Sequence, residues 1–201
     1  MRSAVIQMTS SKSVDANLEQ ALELLTEAKK QNAQLVVLPE MFACLGVTNQ
    51  YELASERFCD TDVIGTVKKW AKQFQFYIVA GSMPLLDQNQ NESHKVFAAS
   101  LVFSPSGEVI SQYNKIHLFD VDVADEKGRY RESDTFMAGN EPQTVSVDGH
   151  SLGLSVCYDL RFPELYQHYQ ALGCQFVADL DFDFLSGVRS SMPLQKHKKL
   201  T

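Results

Sequence analysis

Three polar side chains with complementary chemistry each follow a strand-like run of residues. They are Glu40, Lys115 and Cys157, which bring a carboxylate, an ammonium and a thiol. Such a set suits acyl transfer, because a thiol can attack a poor electrophile such as an amide carbon and form a thioester that water then cleaves. We expect Cys157 to be the nucleophile and Glu40 the general base. Lys115, helped by the backbone N–H of Tyr158, should hold the developing oxyanion.

The residues around Cys157 predict a sharp turn between a strand and a helix. The apolar run 152–156 leads directly into the segment 158–164, in which Pro163 suits the first turn of a helix. Such a turn exposes a nucleophile at the carboxyl edge of a sheet. Since a helix N-terminus and nearby cations lower the pKa of a thiol, we expect a lowered pKa at Cys157. Burial after an apolar strand should instead raise the pKa of Glu40 toward the working pH.

Each of these residues also has a purely structural explanation. A lone cysteine in an apolar stretch is usually a small core residue, and we interpret Cys44, Cys59 and Cys174 in this way. Glu40 could cap a following turn, and Lys115 could be a surface residue at a strand end. The spacing along the chain does not by itself bring the three side chains together.

The composition fits a soluble globular domain. The 201 residues are 44% hydrophobic and 21% charged, and the net charge of -7 argues against nucleic acid or an anionic membrane surface as a partner. The first apolar run, 4–6, is far too short for a signal peptide or a membrane span. Four cysteines without a Cys-x-x-Cys pair favour a reduced, cytoplasmic setting, and five scattered histidines indicate no metal or other cofactor.

Apolar periodicity predicts an α/β fold in which a sheet is covered by helices. The order of the first elements is β-α-β-α-β, and two later pairs of strands read as hairpins. The predicted strands are 5–8, 35–38, 76–80, 96–103, 109–113, 145–147, 152–156 and 177–180; the predicted helices are 18–28, 64–74, 163–172 and 182–192; and 120–140 is predicted to be a long functional loop.

Three segments together resemble the carbon–nitrogen hydrolase (nitrilase) superfamily. They are LVVLPE at 35–40, YNKIHLFD at 113–120 and CYDLRFPEL at 157–165, and they occur in the family's order and at similar intervals. The resemblance implies an αββα sandwich, a catalytic triad and frequent homodimers built through helices near the nucleophile. The triad implied is Glu40, Lys115 and Cys157.

The segment 131–133 (RES) also looks like part of this family and carries a second glutamate, Glu132, which the resemblance places beside the substrate and Lys115. Together with KIHLFD at 115–120, it is most similar to the branch that hydrolyses deaminated glutathione, with the ω-amidases second. The implied activity is hydrolysis of a small anionic amide through a cysteine thioester, with release of the amine or ammonia. The anion needs an anchor, for which Arg131 or Arg129 is the natural candidate, and Tyr158 is expected to border the substrate.

The resemblance breaks off after about residue 177. Several segments that the family normally carries next are missing, and 179–193 resembles the family's C-terminal segment instead. We therefore expect an internal deletion of roughly 60–70 residues, a shortened hydrolase domain over 1–178 and a C-terminal segment over 179–201. The sandwich should then lack part of one sheet and a covering helix, leaving exposed strand edges.

Two other functions follow from the same observations. If the deletion disturbs the site, the chain is a catalytically inactive truncated homologue, since catalysis depends on sub-ångström placement. A thiol redox protein is a weaker alternative, because it needs a resolving cysteine and only Cys174 could approach Cys157 in space.

Overall fold

The computed structural model describes residues 1–87, 94–121 and 130–181. Within these ranges the chain forms twelve strands, four helices and two 3₁₀ turns. The strands are β1 (Ser3–Val5), β2 (Leu35–Leu38), β3 (Tyr77–Ala80), β4 (Met83–Leu86), β5 (Val96–Phe103), β6 (Val109–Asn114), β7 (Asp120–Val121), β8 (Tyr130–Arg131), β9 (Phe136–Met137), β10 (Thr144–Val147), β11 (His150–Val156) and β12 (Phe176–Leu180). The helices are α1 (Val14–Lys30), α2 (Gln50–Arg57), α3 (Val63–Phe74) and α4 (Pro163–Ala171), and the 3₁₀ turns are Glu132–Asp134 and Cys157–Arg161.

The strands of the described residues form two main sheets and a short ribbon. The larger sheet has seven strands, in the order β1-β2-β3-β5-β4, with β6 and β9 also paired to β5. Its first three strands are parallel, and β5 runs antiparallel to β3. The smaller sheet has the order β10-β11-β12, and β7 pairs with β8. Because β2 and β11 end at buried positions, the residues that follow them can enter one crevice.

The two sheets pack face to face between two helical layers. Helices α1 and α3 bury their apolar faces against one side of the larger sheet. The other side supplies residues such as Val37 and Val79 to a second core, which the smaller sheet completes with Leu152 and Leu154. On the outer face of the smaller sheet, α4 places the ring of Tyr169 so close to β11 that a Cβ on Gly153 would lie 2.7 Å from it. This is the predicted αββα sandwich.

Most predicted elements are present, with small shifts at their ends. The two hairpins, β5–β6 and β10–β11, have the predicted antiparallel pairing, and β2 has the predicted bounds. The first strand was predicted at 5–8, and its bounds were wrong, since β1 spans Ser3–Val5. The predicted loop 120–140 contains three short strands and a 3₁₀ turn among its described residues, and the predicted helix 182–192 lies outside the described residues.

Two elements, α2 and β4, were not predicted from the sequence. Helix α2 buries only Gln50 and Ala54, so its apolar periodicity is weak. Asn49 caps its N-terminus, where the Asn49 side chain accepts a hydrogen bond from Glu52 N. Strand β4 contains Pro84, which argues against a central strand, and β4 lies at the edge of its sheet.

The face of β1 that points toward the smaller sheet is exposed. Val5 pairs with Val37 and so shares its face of the sheet. Val37 is packed between the sheets, whereas Val5 is 70% exposed. Strand β12 lies against β2, and within the described residues no strand extends the smaller sheet beyond β12. Each helix in the described ranges is too short or too polar to cross a lipid bilayer.

Candidate active site

The three residues predicted to form a catalytic triad lie in one crevice at the ends of three strands. Lys115 Nζ is 3.2 Å from Glu40 Oε1. Cys157 Sγ and one carboxylate oxygen each of Glu40 and Asp181 lie within 4.8 Å of one another. Glu40 follows β2, Lys115 follows β6 and Cys157 follows β11. A carboxylate, an ammonium and a thiol that are far apart in sequence therefore converge.

A tight turn after β2 holds Glu40 inside the protein. Met41 has a positive φ of 49°, and its N–H donates to Ser82 Oγ over 3.1 Å. The turn packs directly on Gly81, where a Cβ would lie 1.9 Å from the carbonyl oxygen of Pro39. Gly81 also has a φ of 53°, a conformation that favours glycine. A larger residue at this position would push the backbone that carries Glu40 out of place.

The environment of Glu40 brings the pKa of its carboxyl close to neutral. The side chain is 2% exposed, and burial raises the pKa of Glu40 to about 7, although the Lys115 ammonium opposes this shift. Its Oε2 atom is buried and accepts no hydrogen bond from the described residues. A general base works best when its pKa is close to the operating pH. The expected upward shift of the Glu40 pKa is thus found.

Lys115 is fully buried between two carboxylates. Its Nζ lies 3.2 Å from Glu40 Oε1 and 2.9 Å from Glu132 Oε2, and the same Glu132 oxygen accepts the N–H of Phe119 over 2.7 Å. Gly139 donates its N–H to the carbonyl of Lys115 over 2.8 Å, which fixes the backbone. Burial alone lowers the pKa of Lys115, but the carboxylates of Glu40 and Glu132 outweigh it and the net shift is upward. The ammonium therefore stays charged.

Cys157 occupies a strained position on the turn between β11 and α4. Its φ is 51°, which is unfavourable for a residue with a Cβ, and it begins the 3₁₀ turn Cys157–Arg161. Strain of this kind is often found at functional positions. The turn points the half-buried thiol toward Glu40 and Asp181.

The prediction of a lowered pKa at Cys157 was wrong. Burial raises the pKa of the Cys157 thiol far above its ordinary value, and the carboxylate of Glu40 adds to the shift more than the Lys115 ammonium opposes it. Helix α4 begins only at Pro163, so its N-terminus is separated from the thiol by the 3₁₀ turn. The Cys157 side chain is therefore held as a neutral thiol, and a base would be needed for it to act as a nucleophile.

Behind the nucleophile, Asp159 links the strand end that carries Lys115 to the turn that carries Cys157. Asp159 is fully buried. Its Oδ2 accepts Val156 N over 2.9 Å and Tyr113 Oη over 2.7 Å. Its Oδ1 accepts His117 N over 2.9 Å and lies 2.7 Å from His117 Nδ1.

Sequence reasoning did not assign a role to Asp159. Its position inside a turn that also carries the nucleophile was the available signal, because buried aspartates in turns commonly accept backbone N–H groups. His117, which binds it, also stacks on Phe162 with ring centroids 3.6 Å apart. This histidine is thus part of the same buried arrangement.

The predicted substrate-binding residues differ in how closely they approach Glu40, Lys115 and Cys157. Glu132 contacts Lys115 directly, as described above. The ring of Tyr158 is half-buried against Phe119, with centroids 5.0 Å apart, and the N–H of Tyr158 belongs to the first turn of a helical segment, where backbone donors have no acceptor within the turn. Arg131 lies on β8 opposite Asp120, next to Glu132 in the chain. Arg129 lies outside the described residues.

Of the three cysteines interpreted as core residues, Cys44 is buried as predicted, whereas Cys59 and Cys174 are partly exposed, so the prediction was wrong for these two. Cys44 is buried, and burial raises its pKa to about 12. Cys174 Sγ lies 3.5 Å from Ser151 Oγ, at the start of β11. Since Cys157 follows the end of the same strand, roughly 20 Å separate the two thiols. The suggestion that Cys174 could approach Cys157 was therefore wrong, and an intramolecular disulfide between them cannot form.

Comparison with known sequences places the chain in a family. The model of the carbon–nitrogen hydrolase family matches residues 2–198, so the chain belongs to that family. Among curated relatives, a deaminated glutathione amidase of Synechocystis sp. is 40% identical over 173 residues, which cover 85% of this chain and 62% of the relative. The omega-amidase NIT2 of Bos taurus is 34% identical over 176 residues, covering 88% of this chain and 61% of the relative.

Solved structures of the nitrilase superfamily share the fold. The C. elegans NitFhit protein matches with a TM-score of 0.79 and 29% identity, over 89% of this chain and 43% of that protein. An amidase from Nesterenkonia sp., described with acrylamide added at its active site cysteine, matches with a TM-score of 0.70 and 25% identity, over 90% of this chain and 66% of that protein. The chain spans between about half and two thirds of the length of these proteins.

Proposed function

We propose that the protein is an amidase that hydrolyses the C–N bond of a small anionic amide through a thioester on Cys157. The observation that carries this proposal is the contact geometry of the crevice. A buried carboxyl with a pKa of about 7 lies beside the thiol and within 3.2 Å of a buried ammonium. This arrangement supplies a base, a nucleophile and an electrostatic partner for an oxyanion.

In the first half of the reaction the amide carbonyl carbon is attacked by Cys157. Glu40 takes the thiol proton as the S–C bond forms, because the thiol is not ionised beforehand. The carbonyl oxygen becomes an oxyanion held by Lys115 and the N–H of Tyr158. Removing one such donor typically costs about 3–4 kcal/mol of barrier. Glu40 then gives the proton to the departing nitrogen, the C–N bond breaks, and an amine or ammonia leaves with a thioester remaining.

In the second half of the reaction water replaces the amine. Glu40 deprotonates the water as it attacks the thioester carbonyl, and the same oxyanion donors act again. The C–S bond breaks, the carboxylic acid product leaves, and the proton on Glu40 returns to the sulfur. Glu132 acts as a positioning residue in both halves, because its contact with Lys115 fixes the ammonium while the Glu40 carboxyl changes its charge.

The substrate class follows from the relatives and the borders of the crevice. We propose deaminated glutathione as the first candidate substrate and an α-keto ω-amide such as 2-oxoglutaramate as the second. The names of the relatives, deaminated glutathione amidase and omega-amidase, support both. Both substrates carry carboxylates, for which Arg131 is the proposed anchor, and Tyr158 lines the entrance. The shortened hydrolase domain over 1–178 and a homodimer remain proposals of the same kind.

The proposed function is tested by following product release from each substrate. The parent should release ammonia from 2-oxoglutaramate or the dipeptide amine from deaminated glutathione. Cys157→Ala should abolish release, because no thioester can form. Cys59→Ser, which removes a thiol remote from the crevice, is the matched control and should retain the parent rate. Equal release by Cys157→Ala and the parent would rule out the proposal.

A second candidate function is that of a catalytically inactive, truncated homologue. The exposure of Val5 favours it, because Val5 shares the face of the sheet on which its partner Val37 is packed in the core. Thermal unfolding followed by circular dichroism separates the two candidates. A cooperative transition together with product release supports the enzyme, and a folded protein without release from either substrate supports the inactive homologue.

A further inference from the structure

A second carboxylate, Asp181, lies beside the thiol and the buried carboxyl of the crevice. Asp181 directly follows β12 and was not singled out from the sequence. One carboxylate oxygen of Asp181, one of Glu40 and Cys157 Sγ lie within 4.8 Å of one another. The three side chains come from the ends of three different strands, β12, β2 and β11. Among the described residues, these three side chains have potential ligand atoms close enough together to hold a metal ion.

The two oxygens of Glu40 differ in a way that points to a ligand. Oε1 lies 3.2 Å from Lys115 Nζ, whereas Oε2 is buried and accepts no hydrogen bond from the described residues. The whole side chain is 2% exposed. A buried polar atom without a partner is unfavourable, and more so when the group is charged. A bound cation would satisfy this oxygen without disturbing the contact with Lys115.

We propose that Cys157, Glu40 and Asp181 form a binding site for a divalent cation of the zinc class. Thiolate and carboxylate oxygen are both ordinary zinc ligands, and three protein ligands leave the fourth position to water. The local charge favours a cation, since two carboxylates and a thiolate would face it, while the Lys115 ammonium is shared between Glu40 and Glu132.

Binding needs only a small adjustment of the crevice. Tetrahedral zinc with one sulfur and two oxygen ligands separates those atoms by roughly 3.4–3.6 Å. The present separations are at most 4.8 Å. Asp181 is exposed at the end of its strand, so its side chain can close most of the remaining gap. On binding, the thiol releases its proton to solvent and an S–Zn bond replaces the S–H bond, with no change of oxidation state.

The bound cation holds the crevice in an inactive state. The cation binds the Cys157 sulfur, which would otherwise attack the substrate, and the Glu40 carboxylate, which would otherwise accept the proton. Removal by a chelator restores both groups. This inference goes beyond the proposed function, because cation binding requires only the geometry of the three ligands and does not require that any amide be hydrolysed.

The site is tested by titrating the chelator-stripped full chain with cadmium chloride and following the ultraviolet charge-transfer band of the Cd–thiolate bond. We expect one cadmium per chain, no such band in Cys157→Ser or Cys157→Ala, and affinity lower by at least about tenfold in Asp181→Asn. Asp179→Asn is the matched control. It makes the same change two residues upstream, where the carboxylate accepts from Ser155 Oγ over 2.8 Å, and it should bind as the parent does.

A second measurement uses zinc chloride and does not depend on the cadmium band. Zinc should slow the alkylation of Cys157 by iodoacetamide in the parent, as read by peptide mass spectrometry, and should protect far less in Asp181→Asn. Equal cadmium affinity in Asp181→Asn and the parent, or an unchanged band in the two Cys157 variants, would overturn the proposal. Absence of amide hydrolysis in a protein that binds cadmium would instead count against the proposed function alone.

Discussion

Glu40 and Asp159 are both buried carboxyl groups on either side of Cys157, but their surroundings differ sharply. Asp159 has donors on both oxygens, from Val156, Tyr113 and His117. Among the described residues Glu40 forms one salt bridge, with Lys115, and its Oε2 accepts no hydrogen bond. The first group is held in place by its hydrogen bonds, and the second is left with capacity to receive a proton.

Under the proposed mechanism, one buried carboxyl positions the site and the other transfers the proton. Asp159 ties the turn that carries the nucleophile to the strand end that carries Lys115, so it fixes a distance. Glu40 is desolvated without full compensation, and its pKa of about 7 is the result. Similar burial therefore does not imply a similar role, and the hydrogen-bond partners decide between the two.

The largest expected effect is on the reaction rate when Glu40 is changed. Glu40→Gln keeps the size of the side chain and the contact with Lys115 but cannot accept a proton. The rate of product release should fall by about 10²–10⁴-fold, the usual contribution of a general base. Steady-state kinetics on the better of the two substrates measures this. If Glu40→Gln kept more than a tenth of the parent kcat, the proposed difference in role between Glu40 and Asp159 would be wrong.

Asp159→Asn should lower stability first and activity as a consequence. The amide cannot accept from all of the donors that now share the carboxylate, so buried N–H or O–H groups lose their partners. The unfolding free energy should fall by about 2–4 kcal/mol, as measured by urea denaturation. The pH profile of any remaining activity should keep the inflection due to Glu40. Loss of that inflection would mean that Asp159 itself carries the proton.

Stability should depend on pH through Glu40. Because its pKa is raised from 4.5 to about 7, the folded state keeps a proton that the unfolded chain releases in this window. The stabilising contribution of Glu40 is complete below the pKa of the unfolded chain, 4.5, and is lost as the pH rises through the pKa of the folded state, about 7. From about pH 5 to about pH 8, the parent should lose about 2–3 kcal/mol relative to Glu40→Gln. Parallel stability curves for the two proteins would contradict the raised pKa.

Tyr113→Phe should have the smallest effect. It removes one of the donors to Asp159 and leaves the backbone N–H groups of Val156 and His117 in place. The expected loss is about 1 kcal/mol of unfolding free energy, with little change in kcat. If this variant lost as much activity as Glu40→Gln, Tyr113 would belong to the reaction itself and the account of Asp159 would need revision.

Much of the scaffold could be predicted from the sequence because apolar periodicity reflects burial. Continuous apolar runs predicted β2 and β11, and helical spacing predicted α1 and α3. Helix α2 was missed because it buries little. Short strands such as β8 and β9 depend on pairing with distant strands, which no local pattern reveals.

For the site, sequence motifs predicted which residues meet but not all of their electrostatics. The triad followed from segments that resemble a known family. The predicted direction of the Cys157 pKa shift was wrong because the shift depends on burial and on the nearby carboxylate of Glu40, and only the fold reveals how deeply the thiol is buried. Asp159 was missed for the same reason, since two of its partners, Tyr113 and His117, come from a distant part of the chain in and just after β6.

The most direct test of the account is the rate at which iodoacetamide alkylates Cys157 as a function of pH, in the parent and in Glu40→Gln. Peptide mass spectrometry reads the site, and Cys59 in the same sample serves as an internal reference. If Glu40 activates the thiol, the parent rate should rise through an inflection near pH 7, the raised pKa of Glu40, and the variant should react slowly without that inflection. The same profile in both proteins would contradict the central claim that this carboxyl activates this sulfur.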